Sequence, residues 1–227
     1  MNDKELNTLR YEEALNIDQR TYFEYYLLLL RTKHLIIFTF YPNKNYNSLM
    51  IKINLFLLSF ALYIVINSLF FNDSTMHKIH EEKGAYNFIY QLPQIIYSTV
   101  ITAIINIIVK YLSLTENNII ALKQNKSDGN LLSKAFQKTK RCLLIKFIIF
   151  FTLDFILIIL FWYFLSCFCA VYTNTQIHLI KDTLISFAIS LIIPFGINLI
   201  PGIFRISSLK NNNKECMYKI SKIIQLI

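Results

Sequence analysis

Four stretches of the chain are apolar over a length that matches a bilayer: Ile53 to Phe71, Phe88 to Leu112, Phe147 to Cys169 and Thr183 to Phe204. Crossing about 30 Å of hydrocarbon takes roughly 20 helical residues, and each stretch supplies them. Charged segments that cannot remain in lipid separate the four, at Asn72 to Asn87, Ser113 to Lys146 and Ala170 to Asp182. Nothing alternates with the period of two that a membrane barrel needs, so the spans are expected to be α-helices that satisfy their own backbone. The expected fold class is all-α: a four-helix transmembrane bundle over residues 51–227, preceded by a segment 1–50 that carries an interfacial amphipathic helix.

That helix is the reading of Phe23 to Phe40, which has the apolar content of a fifth span but holds Arg31, Lys33 and His34 at its centre. Each cation there would cost roughly 2.5–3.5 kcal/mol in a spanning helix. Lying in the headgroup boundary avoids the cost. After span one, Asp73, Ser74 and Thr75 followed by Gly84 read as a helix start and a glycine stop. Ser127, Asp128 and Gly129 divide the middle loop into two arms, expected to continue spans two and three as a helical hairpin.

Stepping 100° per residue places the polar side chains of span two on one face: Gln91, Gln94, Ser98, Thr99, Thr102, Asn106, Lys110 and Ser113 lie within about 80° of Thr102. Ile96, Val100, Ala103, Ile104, Ile107 and Tyr111 take the opposite face. In span four, Thr183, Ser186, Ser190, Pro194, Asn198, Pro201, Gly202 and Arg205 share an arc of roughly 160°. Spans one and three carry no such stripe. A polar stripe in hydrocarbon faces protein or water, so spans two and four are expected to line the interior. The pattern accommodates a packing seam, a hydrated path or an interface with another chain. Span four is interrupted twice on paper, at Pro194 with Gly196 and at Pro201 with Gly202, where a helix either kinks or exposes carbonyls.

Asp154 is the acidic residue deep in a span. Counted at about 1.5 Å per residue it lies about 10 Å from the end of its span, with Asn106 and Asn198 about 9 Å from theirs, so the three are expected to form one intramembrane polar layer. A carboxyl group there serves as a proton or cation site, or it is held neutral beside an Asn.

Composition agrees with a membrane protein: 55% of the 227 residues are hydrophobic, with 4 Gly and 4 Pro, which excludes a disordered or Gly/Pro-repeat chain. The 4 scattered Cys exclude a disulfide-stapled module. The net charge of +9 is unevenly spread: 20 Lys and Arg flank the spans on one side, in residues 1–52, Lys110 to Lys146 and Arg205 onward, against 3 in the other loops. Both termini and the middle loop are therefore expected on the cytoplasmic side of an undetermined membrane. Lys134, Lys138, Lys140, Arg141 and Lys146 are expected to meet anionic lipids, each contributing about 1 kcal/mol near such a leaflet, and no nucleic acid is expected. His77, His80 and His178 share the other side but lack the converging set of a metal site, so neither metal nor cofactor is expected. There is no P-loop, dinucleotide fingerprint, His-Glu-x-x-His or nucleophile elbow, and hence no candidate catalytic residue. A bias toward Ile, Asn, Lys, Phe and Tyr, including Asn211 to Asn213, lowers the weight of any single Asn.

The segments INSLFFND (Ile66 to Asp73), NFIYQLPQIIYS (Asn87 to Ser98), CAVYTNTQIHLIKDTLISF (Cys169 to Phe187) and PFGINLIPGIFR (Pro194 to Arg205) resemble a recurring four-span membrane domain at the carboxyl end of larger protist transmembrane chains. The resemblance runs from about Tyr22 onward and implies a multi-span module without supplying catalytic or ligand residues. The expectation is a multi-pass membrane protein acting as a non-catalytic anchor or signal-transmitting module, in contact with lipid and with a homo-oligomeric or other membrane-protein partner. The alternative is an oligomeric small-ion channel or transporter whose path is lined by spans two and four.

Overall fold

The computed structural model describes residues 3–42, 45–124, 129–210 and 215–226, and among them all regular structure is α-helical. The helices are α1 (Asp3–Thr8), α2 (Tyr11–Ile17), α3 (Tyr22–Lys33), α4 (Leu35–Phe40), α5 (Leu49–Leu69), α6 (Asp73–Glu81), α7 (Phe88–Ser113), α8 (Glu116–Gln124), α9 (Gly129–Val171), α10 (Gln176–Ile197), α11 (Leu199–Lys210) and α12 (Glu215–Leu226). Four segments are long and apolar enough to cross a membrane: α5, α7, Ser133–Val171 within α9, and Gln176–Lys210 across α10 and α11.

The chain divides into two compact units, Asn47–Ser190 and Met1–Tyr46 with Leu191–Ile227. The segment from Leu191 onward, which includes the second half of span four, groups with the amino-terminal helices.

In the Asn47–Ser190 unit, Ile51, Leu55, Leu58 and Leu62 recur at the 3.6-residue period along α5 and meet Val109 of α7 and Phe150 of α9. Span one, which shows no stripe in sequence, is thus the most enclosed: half of its most apolar window is buried, against 11% for span three. Helices in lipid gain little from hiding apolar surface, so close packing and interhelical hydrogen bonds select this arrangement. Phe187 of α10 is received edge-on by Phe56, Phe60 and Tyr63, with ring centroids 5.3–6.0 Å apart. The connection after span one starts one residue earlier than the pattern suggests, since Asn72 Oδ1 accepts from Thr75 N at 2.9 Å and caps α6. Gly84 stops it at φ +79°.

The middle loop is only partly a hairpin extension. α9 runs unbroken for 43 residues, but α7 ends at Ser113, where the Asn47 side chain accepts from Thr115 N at 3.0 Å and turns the chain into α8. Ser127 and Asp128, the proposed hairpin turn, lie outside the described residues, as do Asn211 to Asn213, and α9 begins at Gly129.

The other unit explains why Phe23 to Phe40 is not one helix. Thr21 and Glu24 cap α3 reciprocally, with Glu24 Oε2 accepting from Thr21 N at 2.8 Å. His34 then breaks the run, its Nδ1 accepting from Ile37 N to start α4. Tyr25 and Leu29 of α3 pack on Ile206 of α11, while Phe23 and Phe40 remain exposed. Span four is interrupted once, at Asn198, and not twice. α10 continues through Pro194 and Gly196, and Pro201 occupies the first turn of α11, where a missing N–H removes no helical hydrogen bond.

Candidate functional site

The polar side chains of the Asn47–Ser190 unit gather where α5, α7 and α10 meet. Asn67, near the end of α5, is fully buried. Its Nδ2 donates to Tyr63 O at 2.8 Å, which turns Oδ1 toward the other helices. There it lies 2.9 Å from Ser98 Oγ of α7 and 3.3 Å from Ser186 Oγ of α10, and the two hydroxyls are 3.2 Å apart. One amide oxygen therefore joins three spans. One turn of α10 carries the cluster on to Asp182, whose exposure is zero.

The Asp182 carboxyl is ringed by neutral donors. Tyr86 Oη, just before α7, donates to Oδ1 at 2.6 Å. Gln94 Nε2 reaches Oδ2 at 3.4 Å and Asn67 O at 3.2 Å, and Gln91, with its amide nitrogen turned inward, donates to both carboxyl oxygens. Burial and the neighbouring carboxyl push the Tyr86 phenol well above its usual range, so it remains a donor at any ordinary pH. Lys181 lies over the Tyr86 ring, 5.2 Å from its centroid. A buried carboxyl with such neighbours can hold a proton or a hydrogen-bond network, and each bond to its ionised form contributes about 1.5–3 kcal/mol.

Of the residues singled out in sequence, Ser98, Thr102 and Ser186 are fully buried, whereas Ile96, Val100, Ile104 and Ile107 on the opposite face of α7 are exposed. Thr102 Oγ1 has no partner among the described residues, and half-buried Ser190 donates to Phe187 O of its own helix. Asp154 is buried, and its Oδ2 accepts from Asn54 of α5 at 2.8 Å. Asn106 donates instead to Ser59 Oγ of α5, also at 2.8 Å. The partners of Asp154 and Asn106 are thus both on span one. Asn198 belongs to the other unit, where its side chain is buried at the break between α10 and α11. Pro194 is half-buried and Gly196 exposed, while Pro201 and Gly202 are buried.

Lys134, Lys138, Lys140 and Arg141 are exposed along α9. Lys146 is engaged differently. Its Nζ donates to Leu114 O at 3.0 Å, closing the end of α7, and lies 5.3 Å from the centre of the Tyr111 ring. His77 is exposed and His178 buried. No group of three His, Cys, Asp or Glu able to hold a metal ion occurs among the described residues.

In the second unit, fully buried Arg205 donates to Asp18 Oδ2 at 2.8 Å and to Leu6 O at 2.9 Å, between the rings of Tyr25 and Tyr218 at 5.2 and 4.8 Å. Arg20 takes the same carboxyl at 2.6 Å. Burial raises the Asp18 carboxyl, but hydrogen bonds and charge from Arg20 and Arg205 outweigh it and hold the group below its usual range.

The residues that sequence reasoning missed are Asp182, Asn67, Asn54 and Tyr86. Asp182 was assigned to a loop, yet it precedes Ser186 and Ser190 at the i, i+4, i+8 spacing of one helical face, a signal that was available. With four segments of membrane length and apolarity, this is a multi-pass helical membrane protein. No family model, curated protein or solved structure matches the chain.

Proposed function

We propose that the chain is a non-catalytic membrane module, an anchor or signal transmitter, with both termini on the cytoplasmic side. The observation that carries this reading is the seam itself: Asn67 Oδ1 takes the Ser98 and Ser186 hydroxyls, so polar groups that would wet a path are spent on binding three helices together. The uneven spread of Lys and Arg supports the orientation. The resemblance to the recurring protist domain is in keeping with a multi-span module.

Reconstitution of the full chain into sealed vesicles tests the reading. Proton, sodium and potassium flux should equal that of protein-free vesicles. Reproducible flux abolished by Asp154→Asn or Asn106→Leu would replace the module with the oligomeric ion path.

A further inference from the structure

Asp154 is unusual among the buried polar groups in what surrounds it. It lies in the wall of a groove of about 300 Å³ between α5 and α9, a volume typical of small-molecule sites. Apart from Asn54 the remaining wall is aliphatic or aromatic, including Leu57, Ala61 and Ile64 of α5 and Ile158, Trp162 and Leu165 of α9. One carboxyl oxygen is held by Asn54, and the other, Oδ1, is buried with no partner among the described residues. An acceptor left in that state costs about 1–3 kcal/mol, more if charged. The soft terminal torsion of an aspartate lets the two oxygens exchange places.

We infer that this groove binds a single-chain, membrane-dissolved amphiphile with a protonated amine head, the head pairing with Asp154 and the tail lying along Ala61, Trp162 and Leu165. Charge complementarity selects the head. An amine supplies the donor that Oδ1 lacks and, once paired with the acid, a matching charge, whereas a fatty acid or a phosphate brings only a second acid. Depth selects the single chain: counted from Phe147, where the apolar run of α9 begins, Asp154 lies about 10 Å along the helix, deeper than a bulky zwitterionic headgroup reaches with its water. The inference goes beyond the proposed module and holds whether or not the protein conducts ions.

The test uses the full chain in phosphatidylcholine nanodiscs and a photoactivatable octadecylamine with a diazirine in mid-chain. Labelling is expected on peptides containing Ala61 and Trp162. Excess dodecylamine should suppress it at least ten-fold, and Asp154→Asn should reduce it by a similar factor. The octadecanol and octadecanoate analogues should label these peptides no more than the lipid-facing ones that contain Ile104 or Ile156. Ala61→Phe, which fills the groove and leaves the carboxyl untouched, should also abolish labelling, and it serves if Asp154→Asn fails to fold. Equal labelling by the alcohol means that the groove holds bulk lipid only and overturns the inference. So does labelling that survives Asp154→Asn in folded protein, or that survives Ala61→Phe.

Discussion

An amide side chain shared by two hydroxyls is hard to replace, because no apolar residue satisfies all the partners it leaves behind. Asn67→Leu is expected to destabilise the protein by about 2 kcal/mol, read as a lowered melting temperature in mild detergent, since Ser98 and Ser186 lose their common acceptor. Asp182→Leu should cost at least as much, and Asp182→Asn less than half, because a turned Gln91 can still pair with the amide. The sequence disclosed only part of this. The inward position of Ser98 and Thr102 follows from the 100° spacing, but the partner of Ser98 is an Asn near the end of a span without any stripe, in a chain whose general richness in Asn makes each one weak evidence. In the other unit the sign of a pH effect can be worked out. The Asp18 carboxyl is depressed in the folded protein, so its stabilising contribution is fully present above the usual carboxylate range, about pH 4, and is lost as the pH falls through its folded value. Acid melts of the wild-type protein should therefore lose a transition component that Asp18→Asn has already lost at neutral pH. Similar acid sensitivity in the two would contradict the assignment.

Helices were more legible than their interruptions. The presence and apolar content of α5, α7, α9 and α10 are plain in the pattern, because a span must be apolar over the thickness of the bilayer. The breaks at His34 and Asn198 depend on side chains folding back on their own backbone or on first-turn tolerance of Pro, and a Pro-Gly pair looks the same in either case. The two glycines of span four make a clean contrast. A Cβ at Gly196 meets nothing within 4 Å, so Gly196→Ala should stabilise by up to about 1 kcal/mol through helix propensity. A Cβ at Gly202 would stand 2.8 Å from Tyr22 Cε2, and displacing that ring also strains the hydrogen bond from Tyr22 Oη to Leu199 O. Gly202→Ala should cost about 1–2 kcal/mol, and Tyr22→Leu in the same chain should recover most of it. Equal melting temperatures for the two Ala variants would show that α3 does not press on α11.

At the scale of the whole molecule, the proposed orientation follows from charge alone and has a direct check. In a background free of the natural cysteines, Lys138→Cys and Lys78→Cys should be labelled from opposite sides of the membrane, with Lys138→Cys reached from the cytoplasm. Labelling of both from one side would undo the assignment of the termini. The grouping of Leu191–Ile227 with the first 46 residues was not legible, because it rests on contacts such as Arg205 with Asp18 that are nearly two hundred positions apart. The unbroken α9 adds something that four short spans would lack. Its 43 residues extend about 65 Å, roughly twice the hydrocarbon thickness, so the stretch bearing Lys134, Lys138, Lys140 and Arg141 is the far end of a stiff rod rooted among the acyl chains. Whatever grips that end is held at a fixed angle as well as a fixed height. Two extra residues at its base would lift the grip by only about 3 Å while swinging it through about 200°, and four would nearly restore the heading.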